Sequence, residues 1–401
     1  PLSSLVVMFL STAFVALASV KYKNRSLAIL SLLLASIVPF LTNTPHSQQP
    51  NYIGLFSYLF IITLGAIWIV ILTGYRELTL IALIIIFLYS LPHFLNPYLT
   101  DIKTLLVFAY AFSSLFFLIN TANIYKLKDK NSKEDEIFYD LFTAGVNGLF
   151  LLIWIITAAI KEWQSLIISL WAIIFAVGAF LLFRLTKRRE PFYVYAGVAI
   201  TLLAAATAIQ LKGAALTIAY TIESAVIPII VYLILKDINI SQRFNSLLIG
   251  PALLSLKSIY SDSWLLGVIN KEFFVLLILG LVLLALGIFF RRYVKENGDQ
   301  VSKQINLSLL IFGSIYLYIL LWLSLHAGLN NDNIATGIAL VVYTISGLMA
   351  YFYGISNQMR DIRIYGGSLI GFVVFRLLLI EVWKMQLEWR IVVFFIVGIL
   401  L

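Results

Sequence analysis

Apolar runs of about 18 to 22 residues recur along the whole chain with short polar interruptions, and each is long enough to cross a hydrocarbon core of ~30 Å as one helix. Of the 401 residues, 62% are hydrophobic and 12% are charged, which leaves no stretch for a separate soluble domain. We therefore predict an all-α polytopic integral membrane protein with about 14 or 15 transmembrane helices and short loops. We expect a single multi-spanning membrane domain over residues 1–401.

The tenth predicted span, "FNSLLIGPALLSLKSIY", is interrupted by Pro251 and Lys257. A proline inside a helix removes one backbone hydrogen bond, so this segment is predicted to be a re-entrant or a broken helix. The complete set of predicted spans is 2–20, 26–42, 53–73, 78–96, 102–122, 138–160, 164–184, 191–211, 214–235, 244–260, 272–291, 305–327, 333–353, 364–384 and a fifteenth that begins at Arg390.

Basic residues alternate between successive loops. Most of the 28 Lys and Arg residues fall in the loops that follow odd-numbered spans, which the positive-inside rule assigns to the cytoplasm. We therefore expect the start of the first span to be extracytoplasmic, in a bacterial cytoplasmic (inner) membrane. The formal net charge of +9 is spread over these loops as a topology signal, so no nucleic-acid partner is predicted.

Motifs of common catalytic and metal sites do not occur in the sequence. It has no Walker-type phosphate loop, no HExxH, no GxSxG and no cysteine, and each of these would supply a nucleophile, a metal ligand or a phosphate cradle. The three histidines, His46, His93 and His326, are far apart along the chain. The sequence therefore predicts no catalytic residue, no metal and no cofactor.

Charged residues inside the spans are the strongest functional signal, because a charge in hydrocarbon is costly and usually has a partner or a cavity. Glu223 lies in "AYTIESAVIPI", Arg376 and Glu381 lie in "GGSLIGFVVFRLLLIEVWK", and Lys257 lies in the tenth span. At 1.5 Å per residue, Glu223 is about 15 Å and Arg376 about 12 Å below the outer surface. These four residues form the predicted intramembrane charged site, in which Glu223 is ionised and pairs with Arg376, with Lys257 as the competing partner.

Proline also marks the ninth span. Pro228 has no N–H and frees the carbonyl of Ser224 next to Glu223, so we expect a break in that helix. Elsewhere, Gly366 and Gly367 in "IYGGSLIG" are predicted to allow close helix packing, as small residues do in membranes.

Aromatic and charged residues are mixed at the outer end of the fourteenth span, in "EVWKMQLEWR". This mixture is typical of an interfacial belt that anchors a protein. The alternative is an outer vestibule that contacts a headgroup or a sugar. Its predicted residues are Tyr220, Trp383, Trp389 and Arg390.

Four segments carry a resemblance to a known family: "LASIVPFLT", "LFSYLFIITLGAIWIV", "AIQLKGAALTIAYTIESAVI" and "LIGFVVFRLLLIEVWKMQLEWRIVVFFIVGILL". In order and spacing they resemble the bacterial predicted-membrane-protein family called domain of unknown function 2339. The family usually has Trp, Gly, Lys and Asp where this chain has Tyr220, Ser224, Arg376 and Glu381. The resemblance implies membership and no particular activity.

Members of this family commonly carry an N-terminal coiled-coil segment, which this sequence lacks. The chain also has no initiator Met and ends at Leu401 inside an apolar run. We therefore expect a piece that is truncated at both ends, with protein partners bound through the missing N-terminal part or through the cytoplasmic loops.

Three functions fit these features. The first is translocation of a small, anionic solute or of a lipid-linked intermediate, as many-helix transporters with a charged midplane site perform. The second is a noncatalytic scaffold or assembly subunit in which the buried charges join helices. The third is a membrane-embedded transferase that acts on a lipid-linked donor with Glu223 as base. Membrane lipid is the expected partner in each case, and a cavity that reaches Glu223 would favour the first or third function.

Overall fold

Every regular element that the structure describes is a helix. The structure is a computed structural model that describes residues 13–42, 52–95, 102–126, 134–329, 331–384 and 386–400. Within these ranges, eleven helices are long and apolar enough to cross a membrane, which confirms the prediction of an all-α polytopic membrane protein. The chain divides into two compact units, Pro1–Gln210 and Leu211–Leu401.

Helices of the first unit end within a few residues of the predicted spans, because the apolar runs and their polar flanks fix the segment that can lie in hydrocarbon. The start of the first predicted span lies outside the described residues. The described helices are α1 (13–21), α2 (Arg25–Thr42), α3 (Tyr52–Thr73), α4 (Glu77–Leu95), α5 (Ile102–Lys126), α6 (Glu134–Ala158), α7 (Lys161–Thr186) and α8 (Arg189–Gln210).

Large aromatic side chains fill the core of the first unit. Phe56, Phe112, Phe150 and Trp154 are fully buried, and the indole of Trp154 meets the ring of Phe56 edge-on at a centroid distance of 6.0 Å. Rings in such T-shaped contacts add to the packing energy beyond the area that they bury. The aromatic residues of α3, α5 and α6 therefore hold these helices together.

A buried ion pair also joins helices of the first unit. Arg76, just before α4, donates from Nη1 to Oδ2 of Asp140 on α6 at 2.5 Å, and Asn123 on α5 donates from Nδ2 to Oδ1 of the same carboxylate at 3.2 Å. Asp140 is completely buried. The carboxylate is thus compensated from two neighbouring elements, as a charge away from water requires.

The second unit begins with α9 (Ala214–Leu235) and ends with α17 (Leu387–Leu400). Between them lie α10 (Ile238–Phe244), a 3₁₀ turn (Asn245–Leu248), α11 (Ile249–Ile259), a second 3₁₀ turn (Asp262–Leu266), α12 (Lys271–Asn297), α13 (Gln300–Gly328), α14 (Asp332–Ser356), α15 (Arg360–Arg376), a π-helical turn (Leu377–Glu381) and α16 (Val382–Lys384).

The tenth predicted span is broken near its start by the 3₁₀ turn, whereas α11 continues through Pro251 and Lys257, the two residues that were expected to interrupt it. The 3₁₀ turn separates α10 from α11, and Pro251 lies in the first turn of α11, where a missing N–H is tolerated. Pro251 therefore gives no hydrogen bond to the carbonyl of Leu247, four residues earlier. That carbonyl accepts a hydrogen bond from the hydroxyl of Ser224 on α9 at 3.4 Å, which links the 3₁₀ turn to α9.

The ninth span, in contrast, is unbroken, and the predicted break at Pro228 is wrong. Helix α9 continues past Pro228 to Leu235. Membrane helices tolerate proline when neighbouring elements support the backbone. Here Ser241 on α10 donates its hydroxyl to the carbonyl of Pro228 itself at 2.6 Å, which ties this part of α9 to α10.

Glycine allows α14 and α15 to pack at short range. A Cβ added to Gly366 would lie 2.5 Å from the backbone nitrogen of Tyr351, whereas one added to Gly367 would meet only the Tyr351 ring at 3.9 Å. Across the same contact, a Cβ on Gly347 would lie 2.9 Å from Ile370. The prediction of close packing is therefore confirmed for Gly366, and Gly367 has space.

Candidate functional site

A cavity of about 940 Å³ lies in the second unit, between the end of α11 and one face each of α13 and α15. We call it the groove. Its wall is made mainly of aliphatic and aromatic side chains, and among the described residues that line it Arg376 is the charged one. The lining residues are Ile259, Tyr260, Leu307, Ile311, Ile315, Tyr318, Ile319, Trp322, Leu323, Tyr343, Ile364, Tyr365, Ser368, Leu369, Phe372 and Arg376.

The groove is long because its lining residues on α13 continue along one face of that helix. Its α13 residues run from Leu307 to Leu323 at spacings of three and four, so they share one helix face, and at 1.5 Å per residue they extend over about 24 Å. Several wall residues are also surface residues, since Leu307 and Ile315 are each 41% exposed and Phe372 is 51% exposed. In a bilayer with a ~30 Å hydrocarbon core, such a groove is open to lipid over most of that thickness.

One end of the groove holds a cation–π contact. The guanidinium carbon of Arg376 lies 3.7 Å from the centroid of the Trp322 ring. The indole in turn stacks on His326 at a centroid distance of 4.2 Å, and His326 reaches the hydroxyl of Thr336 through Nε2 at 3.2 Å. His326 therefore supports the ring on which the cation rests.

Arg376 also has a carboxylate partner in its own segment. Its Nε–H donates to Oε1 of Glu381 at 2.9 Å, and Glu381 is only 5% exposed. The π-helical turn Leu377–Glu381 brings this about, because its i to i+5 periodicity places residues five apart on one face. The guanidinium is thus fixed by a carboxylate on one edge and an indole under its plane.

The other edge of the guanidinium is available for a ligand. Arginine carries five N–H donors, and within the described part of the chain only the Nε–H of Arg376 has a hydrogen-bond acceptor. The remaining four belong to Nη1 and Nη2. Two parallel N–H groups of this kind match the oxygens of a phosphate or carboxylate.

A line of hydroxyl groups follows the groove away from Arg376. Tyr365 donates to the Tyr318 hydroxyl at 3.4 Å, Tyr318 donates to Ser346 at 3.2 Å, and Ser346 donates to the carbonyl of Tyr343 at 3.0 Å. The Tyr343 hydroxyl donates to the carbonyl of Tyr318 at 2.6 Å. These bonds fix the aromatic rings of α13, α14 and α15 around the cavity.

The predicted partner of Arg376 is Glu223, but the structure pairs Arg376 with Glu381. The physical reason is local: a π turn brings a carboxylate of the same segment to the guanidinium, and no second helix has to supply one. Glu223 is half-buried on α9, beside the Tyr220 hydroxyl with which it interacts electrostatically. Lys257, the predicted competitor, is exposed on α11. Neither Glu223 nor Lys257 lines the groove.

Residues of the predicted outer vestibule lie in different environments. Trp383 is 79% exposed, whereas Trp389 packs against the apolar cluster that contains Tyr343 and Leu377. Arg390 is half-buried. The groove is lined by none of Tyr220, Trp383, Trp389 and Arg390.

Most of the groove was not indicated by the sequence. Of the predicted charged site, Arg376 lies in its wall and Glu381 holds that arginine. The missed residues are Trp322, Tyr318, Tyr365 and Ser368. Their signal is the recurrence of polar and aromatic side chains every three to four residues on α13 and α15, among faces that are otherwise aliphatic.

These features define a class of protein: an all-helical, polytopic membrane protein with an apolar groove. At one end of the groove lies an arginine whose charge is compensated by a carboxylate. The family described as "Predicted membrane protein (DUF2339)" matches residues 1–273. The chain belongs to this family, which confirms the resemblance. Of the groove, only Ile259 and Tyr260 fall within the matched residues. Comparisons with curated proteins and with solved structures gave no match.

Proposed function

We propose that this protein binds an anionic lipid, or the phosphate of a lipid-linked intermediate, in the groove and moves it across the membrane. The observation that carries the proposal is the position of the Arg376 Nη donors at the end of a long, mainly apolar wall. A cation with unused donors and an adjoining apolar surface is complementary to an amphiphile with an anionic headgroup.

The length and chemistry of the wall favour a lipid over a small, polar solute. Over about 24 Å the wall is mostly apolar, and the hydroxyl protons of Tyr318, Tyr343 and Tyr365 are already donated within the protein. A small solute therefore gains few hydrogen bonds there, while an acyl or isoprenoid chain gains by packing. The groove is also open at surface positions such as Phe372, so a lipid would enter it sideways from the bilayer.

The Arg376–Glu381 pair supports binding by preorganisation. Glu381 compensates the charge of the guanidinium, which lowers the cost of keeping a cation in hydrocarbon. The Glu381 carboxylate accepts the Nε–H of Arg376, and Trp322 lies against the face of the guanidinium. The Nη edge is therefore held towards the ligand before the ligand binds. A fixed donor pair loses less conformational entropy when the complex forms.

The other two functions have less support. A scaffold in which buried charges join helices accounts for the Arg76–Asp140 pair of the first unit, but it does not account for Arg376 and Glu381, which belong to one continuous segment. A transferase with Glu223 as base needs this carboxylate in the cavity, and Glu223 does not line the groove. The groove accounts for neither role as directly as it accounts for lipid binding.

The test measures lipid binding and translocation in proteoliposomes that contain the purified protein. A fluorescent phosphatidylglycerol reports translocation through its protection from an external quencher, and the same lipid reports binding by anisotropy in detergent. The variant is Arg376→Gln together with Glu381→Gln, because the double change leaves no buried charge unpaired. The control is Arg360→Gln, an exposed position at the start of the same helix.

We expect the double variant to bind the lipid about 10- to 100-fold more weakly, as loss of charge-assisted hydrogen bonds implies, and to lose translocation. The Arg360→Gln control should keep both. Equal binding by the wild type and a folded double variant would overturn the proposal of lipid binding at Arg376. If binding depends on Arg376 but the lipid is not translocated, the protein binds lipid without moving it, and the proposal of transport is overturned.

A further inference from the structure

Polar side chains recur along the contact between α5 and α6 in the first unit. On α6 they are Asp140, Thr143 and Asn147, and on α5 they include Ser113 and Asn120. Spacings of three, four and seven residues place each set on one face of its helix. All five residues are completely buried, and we call them the polar row.

The hydrogen bond between Asn123 and Asp140 sets the register around Asn120. Asn123 on α5 donates to Asp140 on α6 at 3.2 Å, and these consecutive membrane-crossing helices run in opposite directions. Asn120 lies three residues before Asn123, and Thr143 lies three residues after Asp140. One turn further along the contact, Asn120 and Thr143 therefore face each other.

Several polar atoms of the row have no hydrogen-bond partner among the described residues. They are Oδ1 and Nδ2 of Asn120, Oδ1 of Asn147 and Oγ of Ser113. The last two lie close together, because Nδ2 of the same Asn147 amide donates to the carbonyl of Ser113 at 3.0 Å. Buried polar groups without a partner are costly, and in folded proteins nearly all find one in the protein or in ordered water.

The unpaired atoms select the chemistry of their ligand. Asn120 offers an acceptor and a donor group side by side, and exchanging the oxygen and nitrogen of the amide leaves the same pair. A cation would meet the amide N–H groups, and an anion would meet the amide oxygen. Either ion would also bring a charge without a counter-charge, since Asp140 is already bound by Arg76. Water is neutral, donates and accepts.

We propose that the polar row binds internal water molecules, one at the amide of Asn120 and one between Oδ1 of Asn147 and Oγ of Ser113. Thr143 supplies a further contact to the first, because its hydroxyl gives its proton to the carbonyl of Tyr139 at 2.7 Å and keeps lone pairs that accept. A buried water makes about three hydrogen bonds. The contact between α5 and α6 is thus hydrated inside the membrane, independently of the groove.

Radiolytic labelling of the full chain in detergent tests this inference. A short X-ray pulse splits water into hydroxyl radicals, which oxidise the side chains that they meet, and mass spectrometry locates the products. Phe116 is the reporter, since it is completely buried and lies between Ser113 and Asn120 on α5. Phe290 is the matched control, because it is equally buried in a cluster of apolar side chains from α12 and α13.

We expect oxidation of Phe116 in the wild type and none of Phe290 at the same dose. Asn120→Leu keeps the size of the side chain and removes the amide, so it should reduce the oxidation of Phe116. It should also lower the unfolding temperature, because the bound water loses hydrogen bonds. An unmodified Phe290 in the variant shows that the protein is folded. Ser113→Ala, which deletes a single hydroxyl, should reduce the oxidation of Phe116 as well.

Equal oxidation of Phe116 and Phe290 in the wild type would overturn the inference, and this comparison needs no variant to fold. Full oxidation of Phe116 in both variants would also overturn it. A higher unfolding temperature for Asn120→Leu would show that the amide lies unpaired in a dry contact, since an apolar group of the same shape then removes a cost.

Discussion

The guanidinium of Arg376 rests on the indole of Trp322 at 3.7 Å, and this contact joins α15 to α13 across the groove. Cation–π attraction is strongest where water is excluded. The ring also limits the positions that the guanidinium can adopt, since its face is covered and one edge is bound to Glu381. The charged guanidinium of Arg376 is therefore held in one position in the wall of the groove.

Trp322→Leu is the first prediction. The substitution keeps an apolar side chain but removes the π face, so we expect the free energy of unfolding to fall by about 2 kcal/mol and lipid affinity to fall with it. Thermal unfolding in detergent and lipid titration measure the two effects. The matched control is Trp383→Leu, because Trp383 is 79% exposed; an equal loss in this control would contradict a specific role for Trp322.

The second prediction compares alanine substitutions at two adjacent glycines, Gly366 and Gly367. Gly366→Ala places a methyl group 2.5 Å from the backbone of Tyr351, and overpacking of this kind costs about 1 to 3 kcal/mol. Gly367→Ala meets only a ring atom at 3.9 Å, so its unfolding temperature should remain that of the wild type. Similar unfolding temperatures for the two variants would show that α14 and α15 pack less closely than described.

Asp140→Asn is the third prediction and concerns the first unit. Asp140 is fully buried and is bound by Arg76 at 2.5 Å, so neutralising it strands a buried cation at a cost of about 3 to 5 kcal/mol. The variant should unfold at a lower temperature and give a lower yield of monodisperse protein. Glu190→Gln, at an exposed carboxylate, serves as the control and should leave both quantities unchanged.

Membrane topology gives the fourth prediction. Asp262 and Asn357 are both exposed, and three membrane-crossing helices, α12, α13 and α14, separate them. The chain has no cysteine, so single cysteines at these positions report accessibility directly. We expect a membrane-impermeant thiol reagent to label Asp262→Cys from outside and Asn357→Cys only after the cytoplasmic side is opened. Labelling of both from one side would remove a crossing from this region.

The helices could be predicted from sequence because hydropathy and flanking charge act on each segment separately. Helix α9 occupies the predicted residues 214–235, since Gly213 and Lys236 bound an apolar run. Close packing was predicted for Gly366 and Gly367 alike, because small residues allow membrane helices to approach, but the sequence could not show that only Gly366 of the two meets the neighbouring helix.

The contacts of Arg376 could not be predicted in the same way. In an α-helix, residues three or four apart are neighbours, so a carboxylate five residues away is not an expected partner. Because Glu223 and Arg376 have similar predicted depths in the membrane, Glu223 on another helix was the expected partner of Arg376. The groove could not be predicted for a similar reason: polar and aromatic residues mark one face of α13 and one face of α15, but the sequence does not show that these two faces turn towards each other.

The π-helical turn Leu377–Glu381 has a consequence for chain length. A π turn holds one residue more than an α turn, so removing any one residue from 377–380 would allow the segment to close as ordinary α-helix. The glutamate would then lie four residues after Arg376, where side chains on an α-helix are neighbours, so the ion pair would survive the deletion. A change from π to α geometry without loss of a residue is different: five residues at about 100° each would turn Glu381 about 140° away from Arg376. Charge compensation in the groove therefore depends on a match between the backbone geometry of this turn and its number of residues.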